Sequence, residues 1–595
     1  MESAGRRWFV GWICSAVLLL CAPPSIAATG EYRTVEVESL RITYDSEWAP
    51  RNAPGYLPIR FDITNLGDAR VIEIYGQGNR FFRMRRPSQP GSVVVRQRIQ
   101  LARGDRIRFT VPVPILADSE NIRLELREDD RVIERFNFLG FQSGTVPGEA
   151  SALIVADPRT AFGRTAASWP RTITTATRTG AAGVPSRLPP LDLVLEPSRL
   201  PTNWLGFTSL RAVFVGPEEW TQLDAVQKNA LLTWTACGGD LFFVDGDVRA
   251  LVPDLRTATV AGDSGARAYF FGRIHTPASA AVGSSGLHSV LVAAEKLQDE
   301  NWVLPANRAR DWGVIAARGF RLPIPGVEGV PARAYFSILL VFSLLIGPMN
   351  YWLLWRKRRQ VLFVLTTPVI SALFIVLLAG YVVIGEGLGV SGRATSLTML
   401  DQAAQQAATR STTSLYAAGM TPAGGLRFAR DTAVYAIGVD GSGTREPNTL
   451  DLSEAQRYSS GVIQARSATN LEQIGFRTAR ERLTFTRQGS EIEVMNGLGE
   501  TVTHLIHRVG NQVYSLRGPL ASGVRGTLHA GAMKGTDVVP SDMPLSGRLM
   551  HLVDNLPEGS YIAILERSPF VDFGVRGVVE RASFHVVIGW PGGQP

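Results

Sequence analysis

The sequence predicts a multidomain chain of α/β plus all-β class that carries a membrane hairpin, and three observations lead there. Residues 335–355 and 361–384 are long apolar segments that no charge interrupts, separated only by Arg356-Lys357-Arg358-Arg359-Gln360. Residues 34–138 alternate apolar and polar side chains with period two, as half-buried strands do. From residue 150 the pattern changes to short apolar strands alternating with a helix.

Composition sets the outer limits. The 595 residues allow three or four domains besides the membrane part, and 45% hydrophobic against 19% charged residues describes folded protein rather than disorder. The net charge of +8 is spread along the chain, with four cations in the hairpin connector, so no nucleic-acid footprint emerges. At the N-terminus Arg6-Arg7 precede an apolar run and Ser25-Ile26-Ala27, which predicts a signal peptide over residues 1–28. Leu20 stands where a lipobox before Cys21 needs a small residue. Loss of the signal leaves Cys237 as the one mature cysteine, which excludes an intramolecular disulfide and a cysteine-cluster zinc site.

In chain order, residues 33–145 read as an immunoglobulin-like β-sandwich. Leu57, Ile59, Phe61 and Ile63 alternate, Asn65-Leu66-Gly67-Asp68 turns, and Ile122, Leu124 and Leu126 lead through Asp129-Asp130 into Val132-Ile133. Residues 150–325 read as a Rossmann-like α/β domain. Its strands are 152–156, 212–215 and 241–244, and residues 160–190 form an irregular excursion. A helix over 223–236 turns Leu223, Val226, Ala230 and Trp234 to one face and is stopped by Gly238-Gly239. The carboxyl ends of such strands carry ligand pockets, which here singles out Asp157, Pro217 and Asp245.

Each span of the hairpin is long enough for a hydrocarbon core of about 30 Å. The connector 356–360, with Arg356, Lys357, Arg358 and Arg359, stays on the cytoplasmic side, which places both flanks outside. Gly347-Pro348 and Pro368 predict kinks, and Asn350 is positioned to hydrogen-bond across the hairpin or to another helix. Beyond the hairpin, residues 401–412 predict a short helix or a loop, and residues 395–592 as a whole a C-terminal β-sandwich region. Its strands include 491–495, 502–509, 513–516, 561–565 and 584–588, with a turn at Gly510-Asn511.

The segments Pro197-Ser198-Arg199-Leu200-Pro201-Thr202-Asn203-Trp204, 210–215 and Trp234-Thr235-Ala236-Cys237-Gly238-Gly239-Asp240-Leu241 carry a resemblance, extended by Gly347-Pro348-Met349-Asn350-Tyr351-Trp352 and the basic connector. The chain resembles bacterial inner-membrane proteins of unknown function with an extracytoplasmic class I glutamine amidotransferase-like domain. The resemblance implies an envelope complex, with an ATPase or von Willebrand-type domain proteins as partners. It does not bring catalysis. Cys237 ends a helix instead of occupying a nucleophile elbow, and His275 and His288 read as surface or satisfied histidines. Gly262-Asp263-Ser264-Gly265 reads as a turn, and His504 and His507, three apart in a strand, cannot chelate together.

These readings predict no cofactor, no metal and no catalytic residue. The expected protein is a non-catalytic scaffold or accessory subunit in the bacterial inner membrane, most of its mass periplasmic. Two alternatives stay open: an amidotransferase-like enzyme of the envelope, and a glycan- or peptide-binding sensor.

Overall fold

A computed structural model describes residues 33–46, 55–79, 93–115, 121–139, 151–169, 192–252, 266–283, 322–326, 332–386, 535 and 546–591, together with 389–437 and 448–531 apart from a few positions. The signal segment, His288 and Gly262 to Gly265 lie outside the described residues. The described chain is mostly β-sheet, with a few helices and two apolar helices long enough to cross a membrane.

The N-terminal region supplies two facing antiparallel sheets. One consists of Arg33–Val37, Leu40–Ser46, Gly55–Asn65 and Arg106–Ile115. Along Gly55–Asn65 the inward residues Leu57, Ile59, Phe61 and Ile63 are buried, as the alternation requires. Asn65 Oδ1 accepts from Gly67 N at 3.1 Å to form the turn, and Asp129 and Asp130 both take the left-handed conformation of a two-residue hairpin turn. Across the sandwich Tyr44, Phe61 and Phe136 pack ring on ring.

The second sheet has seven strands, and three of them come from beyond the hairpin. Arg70–Asn79, Val93–Leu101, Asn121–Glu128 and Arg131–Leu139 are joined by Leu426–Phe428, Asn448–Asp451 and Gln456–Tyr458. Asn448–Asp451 runs parallel to Val93–Leu101, from Asn448 opposite Val93 to Asp451 opposite Arg96. The residues of 395–592 are therefore not a separate sandwich. Part completes the N-terminal sheet, and the rest forms one twelve-stranded sheet that also incorporates Val390–Asp401. That sheet curls until Leu400 and Ala407 share a core with Ile492, Val494 and Tyr561.

The expected helix or loop at 401–412 is instead a hairpin of Val390–Asp401 with Gln406–Ala417. Both strands lie inside the sheet with a paired strand on each side, and most of their residues are buried.

Residues 151–275 build a sheet in the order Asp192–Leu195, Ser151–Val155, Leu210–Val215, Asp240–Phe243, Gly272–His275, Arg267–Tyr269, the first five parallel. Both faces are covered. Phe162, Ala166 and Trp169 pack on Ile154 and Phe214, while Leu231 and Trp234 belong to the core on the opposite face with Val213 and Leu241. This two-sided burial explains why the strands read as continuous apolar runs.

The expected helix begins at Ala225, capped by a reciprocal Asp224–Gln227 box. That start rotates Val226 outward, 56% exposed, and turns Gln227 inward, where its amide donates to the Pro197 and Leu200 carbonyls. The helix ends in a Schellman motif, with Gly239 N bonded to Trp234 O and Gly238 N to Thr235 O, and with Gly238 at φ 119°. The excursion at 160–190 contains a helix, Ala161–Ala167.

The apolar spans are Phe336–Arg356 and Gln360–Gly380, 21 residues each, about 31 Å at roughly 1.5 Å per residue. Pro348 lies in a π-helical turn, Leu345–Met349, which accommodates its missing N–H, whereas the helix Phe363–Glu386 continues through Pro368. Asn350 bonds across the hairpin, its Nδ2 donating to Thr366 Oγ1 at 3.0 Å.

Candidate functional site

In a doubly wound parallel sheet, ligands bind outside the carboxyl ends of the strands where the winding direction reverses. Here that point lies between Ser151–Val155 and Leu210–Val215, the first and third strands of the sheet in chain order. Asp157 and Pro217 follow those two strands, and Asp245 follows the next, Asp240–Phe243.

Each of the three has a local task. Asp157 Oδ1 accepts from Arg159 N at 2.9 Å, closing the turn into the helix Ala161–Ala167. Pro217 is the first residue of the helix Pro217–Gln222, where a missing N–H is not needed. Asp245 sits at φ 55°, and its Oδ1 accepts from Ser279 N at 2.9 Å.

The residue that joins two of these positions is Glu219, which the sequence reading did not single out. It is fully buried, and its Oε1 accepts from the Thr160 hydroxyl and, at 3.4 Å, from Asp157 N. Thr160 also caps its helix, accepting from Gly163 N at 2.9 Å. Where related architectures hold an anionic ligand against helix N-termini, this chain places its own carboxylate. Gly216 leaves room for it, since a Cβ there would lie 2.5 Å from Glu219 Oε2. Only the strand end at Pro217 was legible in sequence; the short helix Pro217–Gln222 and the inward turn of Glu219 were not.

Cys237 is the helix-terminal residue before Gly238-Gly239, wholly buried, and burial pushes its thiol well above the ordinary range. A buried neutral thiol without a neighbouring base is a packing group. His275 is buried, stacked on Phe242 at 4.3 Å, with Nε2 3.3 Å from Asp240 Oδ1. His507 stacks on Phe485 and bonds through Nδ1 to Ser560 O at 3.0 Å; burial lowers its pKa. His504 Nδ1 contacts Thr503 instead. Among the described residues no group of three or more His, Cys, Asp or Glu is arranged to hold a metal.

One further constellation was invisible in sequence. Ser396 and His585 face each other on neighbouring parallel strands, with Ser396 Oγ 2.8 Å from His585 Nδ1 and His585 Nε2 2.7 Å from Glu580 Oε1. A serine, a histidine and an acid in contact can activate a hydroxyl. Ser396, however, lies in mid-strand between two ladder partners and is only 4% exposed, so it offers no seat for a substrate carbonyl. The relay satisfies polar groups inside the sheet.

Arg356, Lys357, Arg358 and Arg359 form an exposed turn between the two apolar helices.

No family model matches this chain, and no curated protein does. Among solved structures, the yeast delta-COP-I mu-homology domain in complex with a Dsl1 WxWxV peptide is 7% identical, covering 34% of this chain and 96% of that one at a TM-score of 0.16. A calcium-binding mutant of Bacteroides uniformis beta-glucuronidase 2 is 10% identical, covering 84% and 68% of the two chains at a TM-score of 0.13. Similarities at these scores carry no argument about this chain.

Proposed function

We propose that this protein is a non-catalytic, membrane-anchored scaffold or accessory subunit of a bacterial cell-envelope complex. The hairpin holds it in the inner membrane, the basic connector faces the cytoplasm, and the sandwich, parallel sheet and curled sheet stand on the periplasmic side. The observation that carries this reading is the pairing of Asn448–Asp451 with Val93–Leu101. A sheet that joins both flanks requires them on one side of the bilayer, which a two-helix hairpin satisfies and a single span does not.

Two further contacts join the flanks: Tyr56 Oη donates to Val434 O, and Trp204 Nε1 donates to Asp431 O at 2.6 Å. Within the first flank, Tyr56 N donates to Thr208 Oγ1 and ties the sandwich to the parallel-sheet region. A rigid multi-sheet body whose buried carboxylate fills its own switch point is suited to presenting surfaces to partners. An ATPase or von Willebrand-type domain proteins are the partners that the sequence resemblance suggests. Purification from mild detergent followed by mass spectrometry should recover envelope proteins in constant ratio; recovery of this chain alone would overturn the scaffold reading.

A second reading, an amidotransferase-like enzyme, draws support from the strand order of the parallel sheet. It requires a nucleophile other than Cys237, and hydrolysis of glutamine by the purified protein would establish it.

A further inference from the structure

We propose that the turn Arg356-Lys357-Arg358-Arg359 is a binding site for the phosphate headgroups of anionic phospholipids, an inference that rests on the hairpin spanning a bilayer. Three observations converge on it. All four side chains are exposed, and none pairs with a carboxylate among the described residues, so four positive charges stand uncompensated at one end of two apolar helices. The same end carries exposed Tyr351, Trp352 and Trp355, the residue types that settle at headgroup level, and the Arg356 guanidinium lies 5.5 Å from the Trp352 ring centre. Anionic headgroups are the complementary partner that lies at this depth, and clusters of cations beside a span attract them.

The third observation is conformational. The first helix of the hairpin ends in a Schellman-type turn, Arg359 N bonding to Leu354 O and Arg358 N to Trp355 O, both at 3.0 Å. This places Arg358 at φ 53°, in the left-handed region. Glycine is the residue that suits such a position, and a side chain there is strained. The chain holds an arginine where its own fold favours glycine, so the cation is placed there at the expense of local stability. The turn aims four consecutive cations from a connector too short to move away from the interface.

The test uses the full chain, wild type and Arg358→Gly, in vesicles of phosphatidylcholine alone and of phosphatidylcholine mixed with phosphatidylglycerol. Arg358→Gly keeps three cations for topology and relieves the left-handed strain. Co-flotation with phosphatidylcholine vesicles first establishes insertion; if the protein does not float, the membrane reading itself fails. With insertion shown, native mass spectrometry of protein released into mild detergent should find phosphatidylglycerol retained over phosphatidylcholine by wild type, by about tenfold or more. The variant should retain several-fold less while melting at the same or a higher temperature in phosphatidylcholine. Glycerol phosphate, which has the phosphate without the chains, should not displace the lipid. Equal retention of both lipids, wild-type retention by Arg358→Gly, displacement by glycerol phosphate, or stabilisation by polyglutamate in place of lipid would each overturn the proposal, the last in favour of an acidic protein partner.

Discussion

Replacing Tyr56 by phenylalanine should loosen the junction between the N-terminal sandwich and the twelve-stranded sheet at one atom. The Tyr56 hydroxyl lies 3.0 Å from both Val434 O and Val434 N, donating to the first and accepting from the second, and 3.4 Å from Gln456 Oε1. Val434 belongs to Ala433–Ile437, the edge strand of the twelve-stranded sheet, whose other side pairs with Ala468–Thr478. The hydroxyl therefore satisfies the outward N–H and C=O of a buried edge, and burial pushes its own pKa up to about 12. Phenylalanine leaves both backbone groups without a partner in a space one oxygen wide. At about 1–3 kcal/mol per orphaned buried group, the expected loss for the two is about 2–6 kcal/mol. Hydrogen exchange followed by mass spectrometry reads this locally: the peptide covering 433–437 should exchange at least about tenfold faster, since about 1.4 kcal/mol is one decade. Unchanged exchange there, with a melting temperature equal to wild type, would refute the idea that Tyr56 locks the junction.

Three other perturbations have equally definite outcomes. Cys237→Ala should cost no more than about 1–2 kcal/mol, preserve the cellular phenotype, and the native thiol should resist alkylation until the protein is unfolded; loss of phenotype at normal abundance would restore a catalytic role. Burial pushes the Glu580 carboxyl up, but hydrogen bonds from His585 and Ser583 outweigh it and hold the pKa below its ordinary value. Its contribution to stability is therefore present above the unfolded-state value and is lost as pH falls through the folded one, so melting temperature should drop on acidification less steeply in Glu580→Gln; parallel slopes would contradict this. A reporter that fluoresces only in the cytoplasm should light up when inserted after Arg358 and stay dark when fused after Pro595, and a bright C-terminal fusion would invert the arrangement.

Local pattern carried the sequence reading where one face of an element is buried and the other is wet. The strand Gly55–Asn65 and the turn at Asp129-Asp130 were legible for that reason. Val226 misled because helical spacing says nothing about where a helix begins, and the Asp224 cap moved the buried stripe by one residue to Gln227. Residues 401–412 misled because Ala, Gln and Thr look helical or loop-like until the neighbouring strands that enclose them are known. At the candidate site, Asp157, Pro217 and Asp245 follow from strand ends alone. The contact of Glu219 with Thr160, and that of Ser396 with His585, depend on folding that brings together residues 59 and 189 positions apart. Asn448-Thr449-Leu450-Asp451 is too short and too polar to announce a strand, and its partner Val93–Leu101 lies on the other side of the hairpin in sequence.

That strand pairing also constrains how the protein is made. During synthesis Val93–Leu101 is made long before Asn448–Asp451 exists, so one side of it remains an open template while the parallel sheet forms. Closing the sheet then joins residues separated by most of the chain, a contact of high order that forms slowly. Synthesis from the N-terminus thus leaves a half-finished sheet waiting, exposed to proteases and to pairing with strangers until Asn448–Asp451 arrives to seal it.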